Sequence, residues 1–266
     1  MSYSIEGKTA IVTGAANGVG LAIARHFANR GANVMFADMD EGRLAKECGS
    51  REDGDPIRYF AGDLRERLTL ANLLSATIDA FDRVDILVNG ARQMMFTDPL
   101  DVEDDSLETL LGQNLMCAMR LSQIVAKRMI KQSDGDEDRP AGTIINLSSI
   151  ASTHTQPQLL GYSISCAALD QMTRSMAVEM APNRIRVNGV GFGSVMSAFL
   201  KDVLKEQPDY RKEIEAHTPM GRIAGPDALT EAVQFLASEA SGFMTGQILT
   251  VDGGRTLLDP VAAPAH

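Results

Sequence analysis

The chain has 266 residues, 44% of them hydrophobic and 23% charged, the balance of an ordinary globular protein rather than a disordered or fibrous one. Thirty-five acidic against 25 basic residues give a formal charge of −10, which repels phosphate backbones and anionic lipid surfaces, so neither nucleic acid nor a membrane is an expected partner. No basic start leads into a long apolar run, nowhere do 18 apolar residues follow one another, and Cys48, Cys117 and Cys166 are far apart with no CxxC; a cytoplasmic protein without a disulfide framework or a metal site is expected.

In chain order, the Val- and Ile-rich run Thr9 to Val12 predicts a first strand, and Gly18 to Asn29 an amphipathic helix. Strands follow at Asn33 to Ala37 and Ile57 to Phe60, a helix at Arg65 to Phe81, a strand at Val84 to Val88 and a long helix at Val102 to Lys131. Ser133 to Pro140 carries four acidic residues with Gly and Pro and reads as a solvated loop. Then come a strand at Thr143 to Leu147, a helix at Tyr162 to Met180, a strand at Arg186 to Val190, a helix at Asp227 to Leu236 and a seventh strand at Gln247 to Val251. This βα alternation predicts an α/β, doubly wound parallel sheet, and the near-continuous apolar strands predict burial on both faces. No repeat or linker divides the chain, so residues 1–266 are expected to form one domain. The irregular stretch Gly191 to Pro219 interrupts the rhythm where a substrate lid would sit.

Directly after the first strand stands Thr13-Gly14-Ala15-Ala16-Asn17-Gly18-Val19-Gly20, a G-x-x-x-G-x-G turn that opens a helix. Glycines there let backbone approach a pyrophosphate at a helix N-terminus, where free N–H groups and the dipole favour anions. Asp38 ends the second strand, 24 residues beyond Gly14, with no Arg or Lys in Phe36 to Asp40. A carboxylate there accepts bonds from a ribose diol and repels a 2′-phosphate, which favours NAD over NADP. Asp63, before Leu64, is placed to meet an adenine amino group, or simply to cap the next helix.

With Asn114 in Gln113-Asn114-Leu115, Ile145-Asn146-Leu147-Ser148-Ser149, Tyr162, Arg184 to Asn188 and Val251-Asp252-Gly253-Gly254, the chain resembles the single-domain short-chain dehydrogenase/reductase family over nearly its whole length. The resemblance implies a Rossmann-like sheet of seven strands in the order 3-2-1-4-5-6-7. It also implies a cofactor site at Gly14, Asn17, Gly18, Val19, Gly20, Asp38, Asp63, Leu64, Asn89 and Val195. By the family's pattern, Ser149, 13 residues before Tyr162, orients a substrate carbonyl, Tyr162 is the acid/base, and Asn114 supports a proton relay. The two long helices, the seventh strand and the tail after it would build a homotetramer or homodimer.

The chain departs from the family around one pocket. Four residues after Tyr162, where the family carries a lysine that lowers the tyrosine pKa and bonds the nicotinamide ribose, stands Cys166. An ammonium ~4 Å from a phenol is worth ~4 kcal/mol at an effective dielectric of about 20; a thiol supplies none of it. The family's Asn-Asn-Ala-Gly is here Asn89-Gly90-Ala91-Arg92, which puts an Arg where backbone runs near the adenosine half of the cofactor, to swing aside or to fill cofactor space. Phe192-Gly193 replaces Pro-Gly, and Ser197 the usual Thr. Two functions follow as expectations: an NAD(H)-dependent oxidoreductase of a secondary alcohol or ketone, of full or reduced activity, or an impaired member serving as a dinucleotide- or metabolite-binding or scaffold protein. His154 is a proton-handling candidate or a plain loop histidine, and Cys166 a reactive thiol or a small buried hydrophobe. Met94 and Met95 are core filler or the wall of an apolar substrate pocket.

Overall fold

A computed structural model of the chain describes residues 3–49, 54–134 and 139–259. In chain order it runs β1 (Thr9–Thr13), α1 (Gly18–Asn29), β2 (Asn33–Asp38), α2 (Glu41–Cys48), β3 (Ile57–Ala61), α3 (Arg67–Phe81), β4 (Ile86–Asn89), α4 (Ser106–Leu110), α5 (Cys117–Gln132), β5 (Gly142–Ser149), α6 (Leu160–Met180), β6 (Ile185–Phe192), α7 (Ala198–Glu206), α8 (Tyr210–Ala216), α9 (Thr230–Ala237) and β7 (Ile248–Val251). The seven strands form one parallel sheet in the order β3-β2-β1-β4-β5-β6-β7.

Side chains alternate across each strand, so neighbouring residues enter opposite layers. Val12 and Phe36 pack with Ile23 and Phe27 of α1 and Val233 and Leu236 of α9. Ile11 and Met35 pack on the other face with Leu70 and Leu73 of α3 and Leu121 and Val125 of α5. In α1 the buried Val19, Ile23 and Phe27 recur every four residues and make one apolar stripe. Both faces are thereby covered, as the continuous apolar strands require.

Three elements differ from the sequence reading. The long helix begins at Ser106 rather than Val102, because Asp101 and Asp104 take backbone N–H groups first: Asp101 Oδ1 accepts from Glu103 N at 3.0 Å, and Asp104 Oδ1 from Ser106 N at 2.8 Å. The stretch Gly191 to Pro219 contains α7 and α8, α7 being capped by Ser197, whose Oγ accepts from Leu200 N at 3.1 Å. Glu41–Cys48 is a helix that buries only Leu44 and Cys48, too narrow a stripe to give a periodic signal. Residues 135–138 of the acidic loop and 260–266 of the tail lie outside the described residues.

Candidate active site

The carboxyl ends of the central strands open into a cleft of about 610 Å³, the place where ligands bind on open α/β sheets. The glycine turn forms one wall. Gly14 has φ +72°, and a Cβ there would sit 2.6 Å from the Gly90 carbonyl oxygen; a Cβ on Gly20 would sit 2.2 Å from that of Gly14. Backbone, not side chains, therefore fills this turn, and Gly18, at φ +56° with nothing within 4 Å of its Cβ position, leaves it open. Asn17 precedes α1 with its side chain uncommitted to capping, and Val19 is buried beneath. The cradle fits a diphosphate at the α1 N-terminus.

Hydrogen bonds fix the strand ends that border it. Thr13 Oγ1 accepts from Gly90 N and Ala91 N, both at 3.0 Å. Asn89 donates to Ser122 Oγ at 2.9 Å and to Asn146 Oδ1 at 2.8 Å, and Asn146 donates to Thr173 Oγ1 at 2.8 Å. The Asn89 side chain thus ties β4 to α5 and β5. At the far end, Asp38 Oδ2 accepts from Ala16 N at 3.0 Å and Oδ1 from Asp40 N at 3.2 Å, which aims the carboxylate at the cleft that it lines. Leu64 lines the same end. Asp63 does as well, but caps Arg65 N at 2.9 Å and pairs with the Arg65 guanidinium at 3.0 Å, which holds its carboxyl below the usual range. The Arg65 side chain was not singled out in the sequence, and no local motif signals it. Val195 is buried and bridges Ala224, behind the cleft wall rather than on it.

At the other end, Ser149 closes β5 and Tyr162 lies in the first turn of α6. Tyr162 is 1% exposed, and its Oη has no hydrogen bond of normal geometry. Burial pushes the phenol up to about 12; the Arg92 charge and the Ser149 hydroxyl oppose this, and the Cys166 thiol adds to it. Asn114 lies in a π-helical turn, Leu111–Met116, an irregularity often found at functional sites. Its Oδ1 accepts from Gln93 N at 2.8 Å, and its Nδ2 donates to Gln93 O at 2.9 Å and Ser165 Oγ at 3.1 Å. Met94 and Met95 pack against the apolar cluster that contains Tyr162 and Cys166. His154 is exposed, its Nδ1 3.0 Å from Thr153 Oγ1. Arg92 swings away from the Asp38 end: its Nη1 donates to Ser148 O at 3.0 Å, and its guanidinium carbon lies 4.2 Å from the centre of the Phe192 ring.

The raised phenol has a consequence for stability. Because folding favours its protonated form, Tyr162 contributes fully below its unfolded value near 10, and the contribution is lost as pH rises towards 12. Relative to Tyr162→Phe, the wild type is expected to lose about 1 kcal/mol between pH 8 and pH 11, read from urea midpoints. Parallel pH dependence of the two proteins would contradict this.

A family profile described as enoyl-(acyl carrier protein) reductase matches residues 14–256. An L-rhamnose 1-dehydrogenase (NAD(P)(+)) of a Sphingomonas strain is 31% identical over 94% of this chain and 96% of its own length. Among solved structures, a 7α-hydroxysteroid dehydrogenase complexed with NADH and 7-oxo glycochenodeoxycholic acid matches with a TM-score of 0.86 and 31% identity, over 95% of this chain and 96% of that one. A gluconate 5-dehydrogenase from Burkholderia cenocepacia, in complex with NADP and tartrate, matches with a TM-score of 0.86 and 30% identity, over 97% and 98% of the two chains.

Proposed function

Since the chain belongs to the short-chain dehydrogenase/reductase family of oxidoreductases, we propose that it moves a hydride between NAD(H) and a secondary alcohol or ketone. The observation that carries this reading is the pairing, in one cleft, of a backbone-filled glycine cradle with a buried, protonated phenol. When bound, the nicotinamide supplies or takes the hydride. Tyr162 holds the proton at Oη for the carbonyl oxygen, with Ser149 Oγ beside it to orient that oxygen. Asn114 acts at one remove, tying Gln93, which lines the cleft, to Ser165 of α6. Burial keeps the phenol protonated near neutral pH, the form that reduction of a ketone requires. Met94 and Met95 suit an apolar substrate face. We propose the stretch 191–219, which carries α7 and α8 and lines the cleft through Phe192 and Ser197, as its lid.

The choice of NAD rests on Asp38, since relatives carry either cofactor in their names and complexes. Its charge at the end of β2 repels a 2′-phosphate and accepts from a ribose diol. NADH is expected to bind at least about tenfold more tightly than NADPH, roughly 1.4 kcal/mol, and Asp38→Ala to narrow the gap, both read by fluorescence titration. Equal affinities in the wild type would contradict the reading. We propose further that the chain assembles with itself through the α5 and α6 faces, Val178 of α6 being 74% exposed, and through the edge strand β7; a monomer by light scattering at micromolar concentration would count against it.

A second reading has its own observation. By the family's spacing Cys166 falls where a lysine is expected, and the Tyr162 hydroxyl is sealed from solvent, as suits an impaired member that binds a dinucleotide or metabolite without turnover. Steady-state assays of apolar ketones with NADH separate the two: oxidation of NADH supports the first, and binding without oxidation the second.

A further inference from the structure

A phenol buried as deeply as Tyr162 gives up its proton readily only where a positive charge stands ready for the phenolate. On α6 itself the neighbours do not supply one: the next turn carries the Cys166 thiol and the turn after it the Asp170 carboxyl, buried with Oδ1 unpartnered. The side chains that approach from β5 and the π-helical turn, Ser149 and Asn114, are neutral. The cation comes from the segment after β4. Arg92 borders the same small cavity as Tyr162, Cys166 and Asn114, held there by the Ser148 carbonyl on one side and the face of Phe192 on the other. That cavity measures about 10 Å³, the limit for one water. A second long cationic side chain would find no room in it.

We propose that Arg92 is the electrostatic partner of Tyr162, entering from β4 into the room that the short Cys166 side chain leaves and fixed there by Phe192 and the Ser148 carbonyl. Three departures scattered along the sequence then form one arrangement. After burial, the guanidinium is the strongest influence on the phenol, and it also pulls the Cys166 thiol down against burial. The catalytic consequence rests on the oxidoreductase reading. With hydride supplied to the carbonyl carbon by a bound reduced nicotinamide, the carbonyl oxygen would take the C=O π pair and the Tyr162 proton. The phenolate that remains faces a guanidinium, which balances its charge but does not give up a proton of its own.

The test follows the ionisation of Tyr162 by NMR of protein labelled with carbon-13 at the oxygen-bearing ring carbon of tyrosine, the four tyrosines being told apart with Tyr162→Phe. In Arg92→Met the onset of Tyr162 titration is expected above that of the wild type, so that the small phenolate fraction present at about pH 11 falls by about tenfold or more. Arg92→Lys, which keeps the charge, should stay near the wild type, and adding Cys166→Lys to Arg92→Met should bring the onset back down. An unmoved onset in a folded Arg92→Met protein overturns the proposal. If that variant does not fold, Phe192→Leu, which takes away the ring under the guanidinium, should move the onset in the same direction by less, and no movement there overturns it equally. The readout needs no substrate. A moved onset with no turnover of any ketone upholds the proposal and sinks the oxidoreductase reading, whereas turnover with an unmoved onset does the reverse.

Discussion

Tyr162→Phe is expected to lower turnover by about 10²–10⁴-fold, the usual worth of a positioned acid or base, while leaving NADH affinity nearly unchanged. The ring stays in its apolar cluster with Leu110, Leu159 and Cys166, and the hydroxyl that is removed has no hydrogen bond of normal geometry to lose. Folding should therefore be kept, or gain slightly, at neutral pH, because an unpaired buried hydroxyl carries a desolvation cost. The effect is confined to kcat if the phenol meets substrate only as charge develops on the carbonyl oxygen. A Phe variant with wild-type turnover would show that the proton travels by another route.

Gly20→Ala should have the largest effect on the cofactor end. The added Cβ would meet the Gly14 carbonyl oxygen at 2.2 Å and its carbon at 2.7 Å. These are backbone atoms that no rotamer change can move. Relief requires the turn between β1 and α1 to open, which displaces the very N–H groups that would meet a diphosphate. A stability loss of about 1–3 kcal/mol is expected, with NADH affinity down by more than about tenfold, roughly 1.4 kcal/mol. Gly225→Ala, whose Cβ meets nothing within 4 Å, serves as the control and should stay within about 0.5 kcal/mol of wild type. Denaturant melts and NADH titrations on the two variants give the comparison.

The sheet was legible because its central strands β1, β2 and β4 are buried along nearly their whole length and so read as short apolar runs bounded by turn residues. The carboxyl ends of β5 and β6 were not: these strands extend to Ser149 and Phe192, and polar or bulky residues that face a cleft carry no core periodicity. The helix α1, with its apolar stripe, was legible to the residue. In α2, with only Leu44 and Cys48 buried, propensity had no packing pattern to reinforce it.

Motif spacing pointed to Gly14, Asp38 and Tyr162, which the fold brings to one cleft, and to Ser149, which closes β5. Arg92 was legible as an oddity and not as a direction. Its course depends on Phe192, 100 residues away in sequence, and on a carbonyl of β5. The same holds for the buried chain of Asn89, Asn146 and Thr173, which joins β4, β5 and α6. Long-range side-chain geometry of this kind leaves no trace in a local pattern.

The most direct measurement of the central claim is titration of the protein with NADH, followed by cofactor fluorescence, in the wild type, Asp38→Ala and Tyr162→Phe. The account predicts saturable binding below millimolar cofactor in the wild type and Tyr162→Phe, weaker in Asp38→Ala. No binding of NADH at millimolar concentration in a folded wild-type protein would contradict it.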